Sequence, residues 1–313
     1  MTDATTATVA VSETAPGPQH GSGDNEVRSL WSDAWRQLRK NPLFWISAVL
    51  IVLFVLMAVL PQLFTRIDPN SGSLRHVRES WSGDHWFGTD KQGRDIYART
   101  VYGARASIIV GLLTTVCTTL VGGTLGILAG YLGGWLDALL MRVTDIFFAI
   151  PMLLGGILFM ASFPSDANTG YWSVVGKVVL VMTVFGWPGI ARLMRSSVLQ
   201  VKSLEYVQAA RALGARPGRI ILGHILPNAV APVIVVATIN LGAYIATEAA
   251  LSFLGIGLVP PTISWGVAIS DALDTVRTSP HILLFPSLFL SLAVLAFILL
   301  GDAVRDALDP KTR

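Results

Sequence analysis

The chain has 313 residues, 52% of them hydrophobic and only 14% charged, against about 25% charged in an average soluble domain. That balance argues against a soluble globular core, and a net charge of +3, spread over loops, gives no sign of a nucleic-acid partner. The single cysteine, Cys117, leaves no internal disulfide and no cysteine metal site.

Residues 1–28 are rich in Thr, Ala, Ser, Gly and Pro without apolar periodicity, the composition of a disordered leader. Residues 29–64 then read as an interfacial helix and a first membrane span. In Ser29 to Lys40, Leu30, Trp31, Ala34, Trp35 and Leu38 share one helical face while Arg36, Arg39 and Lys40 lie elsewhere, as in a helix lying in the membrane surface; a plain basic flank of an anchor is the alternative. Leu43 to Phe64 carries no charge and starts too far along the chain for a cleavable signal peptide. It is expected to remain as an anchor.

Residues 65–104 form an extracytoplasmic loop in this reading. Seven basic residues lie between Thr65 and Arg105, with the acids Asp68, Glu79, Asp84, Asp90 and Asp95. Gly88 and Gly93 suit turns, and Asp90, Arg94 and Asp95 suit local pairs. No GxxxxGK[ST] loop occurs in the chain, so it has no phosphate-binding loop of its own. Residues 105–313 supply five more spans: Ala106 to Gly130, Ile146 to Phe163, Val178 to Ala191 with an upstream extension past Lys177, Ala229 to Phe253, and Ile282 to Gly301. A helical crossing needs about 18 to 20 apolar residues, and the expected class is an all-α polytopic membrane protein with six transmembrane helices.

Within that core, Gly122, Gly126 and Gly130 repeat every four residues on one helical face, the spacing that lets two helix backbones approach in lipid. Asp145 lies within a turn of Arg142 and suits a structural pair, Lys177 suits snorkelling to the outer interface, and Pro151 and Pro188 suit helix kinks. Glu248 is an acid inside a span and therefore a site candidate. Three roles are open to it: lining a translocation path, pairing with another helix, or satisfying backbone at a break near Gly255 and Gly257. The five histidines show no metal-ligand spacing, and no Ser/His/Asp grouping points to a catalytic centre.

Between the fourth and fifth spans the chain reads EYVQAARALGARPGRIILGHILPN, Glu205 to Asn228. Ser203 is placed to cap a helix, with Glu205 in its first turn and Tyr206, Ala209, Ala210 and Leu213 on one face. Gly214 suits the left-handed position that ends it, and Pro217 the start of a second helix whose face of Ile220, Ile221, His224 and Ile225 runs to Pro227. Arg192, Arg195, Lys202, Arg211, Arg216 and Arg219 against Glu205 mark this segment as cytoplasmic, as do Arg28, Arg36, Arg39 and Lys40 before the first span. Both termini are then cytoplasmic. A helix-turn-helix reading on DNA is weak, because the second helix offers Ile, Leu and Gly where base edges require polar side chains. A docking element for a cytoplasmic partner fits better, with a loop that packs only on its own spans as the alternative.

The segment resembles the cytoplasmic coupling motif of importer-type ABC permeases: Glu-Ala-Ala, three residues, Gly, nine residues, then Ile-x-Leu-Pro. Here it reads Gln208-Ala209-Ala210, Gly214 and His224-Ile225-Leu226-Pro227, with Gln in the Glu slot and His in the Ile slot. The stretches HWFGTDKQGRDIYARTVYGARASI from His85, MRVTDIFFAIPMLL from Met141 and EAALSFLGIGLVPPTISWG from Glu248 resemble further blocks of the C-type dipeptide/oligopeptide permeases, a pattern shared with nickel-import permeases. The resemblance implies the type I permease fold, a coupling helix at 203–214 and a coupling surface of Leu204, Glu205, Tyr206, Gln208, Ala209, Ala210, Leu213, Gly214 and Pro227. It also implies a second, homologous permease, two P-loop ATPases that hold ATP and Mg, an extracytoplasmic solute-binding protein, and a place in the bacterial cytoplasmic membrane. No cofactor or catalytic residue is expected on this chain. Short peptides are the implied cargo, with nickel or another small cargo as the alternative. An ion-coupled secondary transporter is the reading from a different class, and it has no need of the coupling segment.

Overall fold

The computed structural model describes residues 35–165 and 169–308. The leader at 1–28 and the first residues of the expected interfacial helix lie outside that range; residues 35–38 are helical. No strand forms among the described residues. Five helices are long and apolar enough to cross a membrane, and a sixth crossing is reached if one bent pair is counted as a span.

Helix α1, Pro42–Val59, starts with Pro42 in its first turn and Asn41 as its cap, whose Oδ1 accepts the Leu43 N–H at 2.9 Å. Helix α2, Ile96–Leu132, is capped by Asp95, which accepts the Ala98 N–H at 2.6 Å. Gly133 and Gly134, with φ of +68° and +62°, turn the chain sharply into α3, Gly134–Ala149. Helix α4, Met152–Ser162, leaves α3 at 83°. Helix α5, Tyr171–Lys202, returns, and α6, Glu205–Ala212, follows after a two-residue break. The chain then runs through α7, Pro217–Ile220, a π turn at Ile221–Ile225, and α8, Leu226–Ala229, into α9, Ala231–Phe253. A short helix α10, Trp265–Ala272, precedes the last span α11, His281–Leu308.

The central pair is α2 and α5, and the glycine stripe lies between them. A Cβ at Gly122 would stand 2.5 Å from the Trp187 carbonyl oxygen, one at Gly126 2.5 Å from that of Ala191, and one at Gly130 2.9 Å from Val198 Cβ. Only glycine permits this approach. Helix α9 packs on α2 and α11, and α1 covers the outside of α2 and α11, leaving Val49, Val52, Leu53 and Leu56 exposed as a lipid-facing surface would require.

Three boundaries differ from the sequence reading. Helix α2 begins at Ile96, inside the stretch expected as loop; Arg99 and Arg105 lower its apolarity, yet the Asp95 cap and the fit of Val101 and Ala104 in the core make it helical. The third span is not one helix over Ile146 to Phe163. It breaks at Ile150 and Pro151, where Ile150 is extended (ψ 116°) as the residue before a proline prefers, so Pro151 sits at a junction and not within a helix. Ser203 is not a cap: its hydroxyl donates to the Gln200 carbonyl at 2.8 Å, and Leu204 holds the cap position of α6 without a side-chain bond.

Gly126→Val is expected to destabilise the subunit by about 1–3 kcal/mol through overpacking, read as a lower unfolding temperature in detergent. Gly123→Ala, whose Cβ would lie 3.8 Å from Met194 Cε, is expected to be tolerated. Equal unfolding of the two variants would contradict the packing role.

Candidate functional site: a mounted helix pair between two spans

Helix α6 hangs directly from the end of α5. Val207 is its anchor, 0% exposed within a cluster of Tyr131, Val198, Val201, Ile220 and Ile225. Gln208 Nε2 donates to the Lys202 carbonyl at 3.0 Å, satisfying an acceptor at the end of α5 that the helix itself leaves free. Lys202 Nζ in turn donates to the Tyr131 carbonyl at 2.6 Å and the Gly130 carbonyl at 3.3 Å, closing the end of α2 in the same way. A glutamate at 208 has no donor for the first of these bonds, so the Gln that departs from the coupling motif takes a specific part in this chain.

The bend is a Schellman closure. The Gly214 N–H donates to the Arg211 carbonyl at 3.0 Å and the Ala215 N–H to the Ala210 carbonyl at 3.1 Å, with Gly214 at φ +79°, where a Cβ is unfavourable. Beyond it, the π turn widens the backbone just before Pro227, which lacks an N–H for the regular ladder. The helix thereby continues past Pro227 to Ala229 instead of stopping there. Tyr206 and His224 meet edge to face at 6.3 Å, joining the two arms.

The outward side of this pair is exposed among the described residues. Leu204, Glu205, Tyr206, Ala209 and Leu213 are exposed, Leu213 by 88%, and Ala210 is half-buried beside them. Leu222 and Pro227 are exposed on the second arm. The structure therefore brings the sequence-selected residues onto one projecting unit, with Val207 as the buried anchor that sequence inspection did not single out. Its signal was present: Val207 follows Ser203 by four residues and is the only β-branched residue of α6.

The spans next to the insert are clamped by ions. Arg195 binds Asp137 through two guanidinium nitrogens, the second at 2.6 Å, and Arg192 binds Asp145 on the same helix, α3. Asp145 also lies 3.8 Å from Arg142, so its main partner is on α5. On the far side, Lys177 Nζ donates to the Pro164 carbonyl at 3.1 Å. Arg94 pairs with Asp90 at 2.7 Å, while Asp95 is used as the α2 cap and a partner of His85 at 2.7 Å. Glu248 is 0% exposed. Its carboxylate accepts the hydroxyls of Ser107 at 2.9 Å, Ser252 at 2.7 Å and Ser264 at 3.1 Å; Ser252 is one turn further along α9, while Ser107 on α2 and Ser264 before α10 are partners that no local sequence pattern reveals. No metal-holding group of His, Cys, Asp or Glu is found among the described residues.

A family model described as binding-protein-dependent transport system inner membrane component matches residues 122–313, and one for the N-terminal TM domain of oligopeptide transport permease C matches residues 29–79. The chain is 41% identical to the oligopeptide transport system permease protein of Bacillus subtilis (strain 168), with 91% of each chain covered. It is 40% identical to a dipeptide transport system permease protein of Alkalihalophilus pseudofirmus, again over 91% of each, and 37% identical to a glutathione transport system permease protein of Pectobacterium atrosepticum, over 93% of this chain and 94% of that one. The fold matches an inward-facing methionine ABC transporter with a TM-score of 0.54 at 21% identity, over 67% of this chain and 96% of that one.

Gln208→Glu is expected to loosen the mount of α6 by about 0.5–1 kcal/mol, since the Lys202 carbonyl exchanges its side-chain donor for water. Limited proteolysis at Arg211, Arg216 and Arg219 should then run faster than in the unsubstituted protein. Equal rates would contradict the role given to Gln208.

Proposed function

The chain belongs to the binding-protein-dependent transport system inner membrane component family, and we propose that it forms half of the transmembrane pathway of an ATP-driven importer of short peptides. Peptide cargo is supported by the oligopeptide, dipeptide and glutathione transport named for its relatives. The other half is a second, homologous permease. Two P-loop ATPases supply ATP and Mg sites on the cytoplasmic side, and an extracytoplasmic solute-binding protein delivers the cargo. The location is the bacterial cytoplasmic membrane with both termini inside.

The observation that carries the coupling role is the rigid mount of an uncovered helix. Leu204, Glu205, Tyr206, Gln208, Ala209, Ala210, Leu213 and Gly214 form the surface that seats in a groove of one ATPase. When the two ATPases close on ATP, the seated helix is displaced. Val207 and the Gln208 bond pass that displacement to α5, and the continuous path through α7, the π turn and α8 passes it to α9. Motion of packed helices as bodies then changes which side of the membrane the pathway opens to. Glu248, enclosed by its three serines, holds structure in this scheme instead of meeting cargo.

Ala210→Glu, which places a charge on the seating face, and Gly214→Val, which forces a β-branched residue into a left-handed turn at about 1–2 kcal/mol, are both expected to abolish uptake while the subunit still inserts. The measurement is ATP-dependent uptake of a labelled tripeptide by vesicles holding the chain with its genomic neighbours. Full uptake by both variants at normal expression would contradict coupling through this helix, and ATP-driven uptake of nickel in place of the peptide would overturn the cargo.

A further inference from the structure

We infer that Glu248 is a positioning residue: through Ser107, Ser252 and Ser264 it welds α2, the end of α9 and the start of α10 into one outer body that moves as a unit during transport. The inference rests on the importer reading and adds to it the part that turns at the end opposite the insert.

The hydrogen-bond polarity of the site carries the argument. Each serine has one hydroxyl proton, and all three are directed at Glu248. Each serine oxygen is then free to accept, and each does so from a backbone N–H: Ser252 from Leu258 at 2.9 Å, Ser107 from Trp265 at 3.3 Å, and Ser264 from Val267 at 3.2 Å. One carboxylate thus fixes the direction of six hydrogen bonds. It also satisfies the first free N–H groups of α10 and closes the turn after α9. The two carboxyl oxygens of Glu248 offer acceptors to all three hydroxyls, whereas the amide of a glutamine has one acceptor oxygen and turns an NH2 group toward the serine that Oε2 now serves. Glu248, Ser107, Ser252 and Ser264 are all buried, so water does not substitute.

Packing leaves these elements no freedom to slide. A Cβ at Gly266 would stand 2.6 Å from Ala249 Cα, and one at Gly103 3.2 Å from the Ser264 carbonyl carbon. The Trp265 indole, itself buried, donates to the Thr100 carbonyl at 2.9 Å. The far end of α10 is held as well, by Asp271 at 3.5 Å from both Arg94 and Arg99, with Arg99 3.7 Å from Asp90. Helix α10 is therefore tied at its start to α2 and α9, and at its end to the outer loop and the first turn of α2.

The test uses the complete complex with its genomic neighbours and a labelled tripeptide, and reads uptake per ATP hydrolysed. Glu248→Gln is expected to lower that ratio roughly tenfold while the amount of assembled complex and its ATP hydrolysis stay within about twofold, as the loss of one buried polar partner implies. Uptake and hydrolysis that fall together in proportion to assembled complex, or an unchanged ratio, would overturn the inference. Should Glu248→Gln not insert, Ser107→Cys with Ser264→Cys in a Cys117→Ala background takes its place. Bridging the two thiols is expected to raise uptake per ATP from the unbridged level, whereas a bridge that stops uptake would show that α2 and α10 must separate and would overturn the weld. The unsubstituted complex run alongside distinguishes the two readings: no ATP-driven uptake there overturns the importer reading and this one with it, while normal uptake there confines any failure to Glu248.

Discussion

In a hydrocarbon layer, apolar side chains gain nothing by leaving lipid for one another, so helices stay together only where their surfaces meet closely or where polar groups find partners. The approach of α2 to α5 across Gly122, Gly126 and Gly130 is the contact on which the other elements are arranged. It brings the ends of the two longest helices side by side, so that Lys202 at the end of α5 reaches the last carbonyls of α2. The same end carries the insert. A bulkier residue in the stripe would move the platform on which α6 is mounted as well as the span itself.

The two polar clusters occupy opposite ends of the molecule and solve the same problem by different means. At the insert, the free carbonyls of α2 are closed by Lys202 at the end of α5, and the last carbonyl of α5 by Gln208 of α6. At the other end, a buried carboxylate organises hydroxyls that close N–H groups. Both turn a helix terminus, the weak point of any helix in an apolar setting, into a joint that holds its geometry. The lever between them is the length of α5 and α9, with Pro188 inside α5 and the π turn before α9 as the places where the backbone is not regular.

Much of this was legible from the amino-acid order. Uncharged runs gave the spans, and the four-residue glycine spacing marked a face that does pack on a backbone. The Gly214 bend and its left-handed φ were also readable. What could not be read depended on partners remote in sequence. Helix α2 extends through Arg99 because Asp271 and Asp90 receive its charge, and hydropathy alone places the boundary too late. Ser203 has the composition of a cap, but α5 runs so close to α6 that its hydroxyl turns back to Gln200. The function of Gln208 needed the Lys202 carbonyl in view, and that of Glu248 needed Ser107 and Ser264, which come from other elements, beside Ser252 on its own helix. Pro151 was recognised as a disturbance, while the size of the 83° turn that it permits follows from what α3 and α4 pack against.

Transport in this scheme depends on the uncovered face of α6 seating on a cytoplasmic ATPase. That seating is tested most directly by photocrosslinking from Leu213→Cys carrying a thiol-linked probe, in a Cys117→Ala background of the assembled complex, with Leu120→Cys on the exposed mid-span side of α2 as the comparison. The expected result is a crosslink from position 213 to an ATPase subunit and none from position 120. An assembled, ATP-hydrolysing complex in which position 213 crosslinks to no ATPase subunit would contradict it.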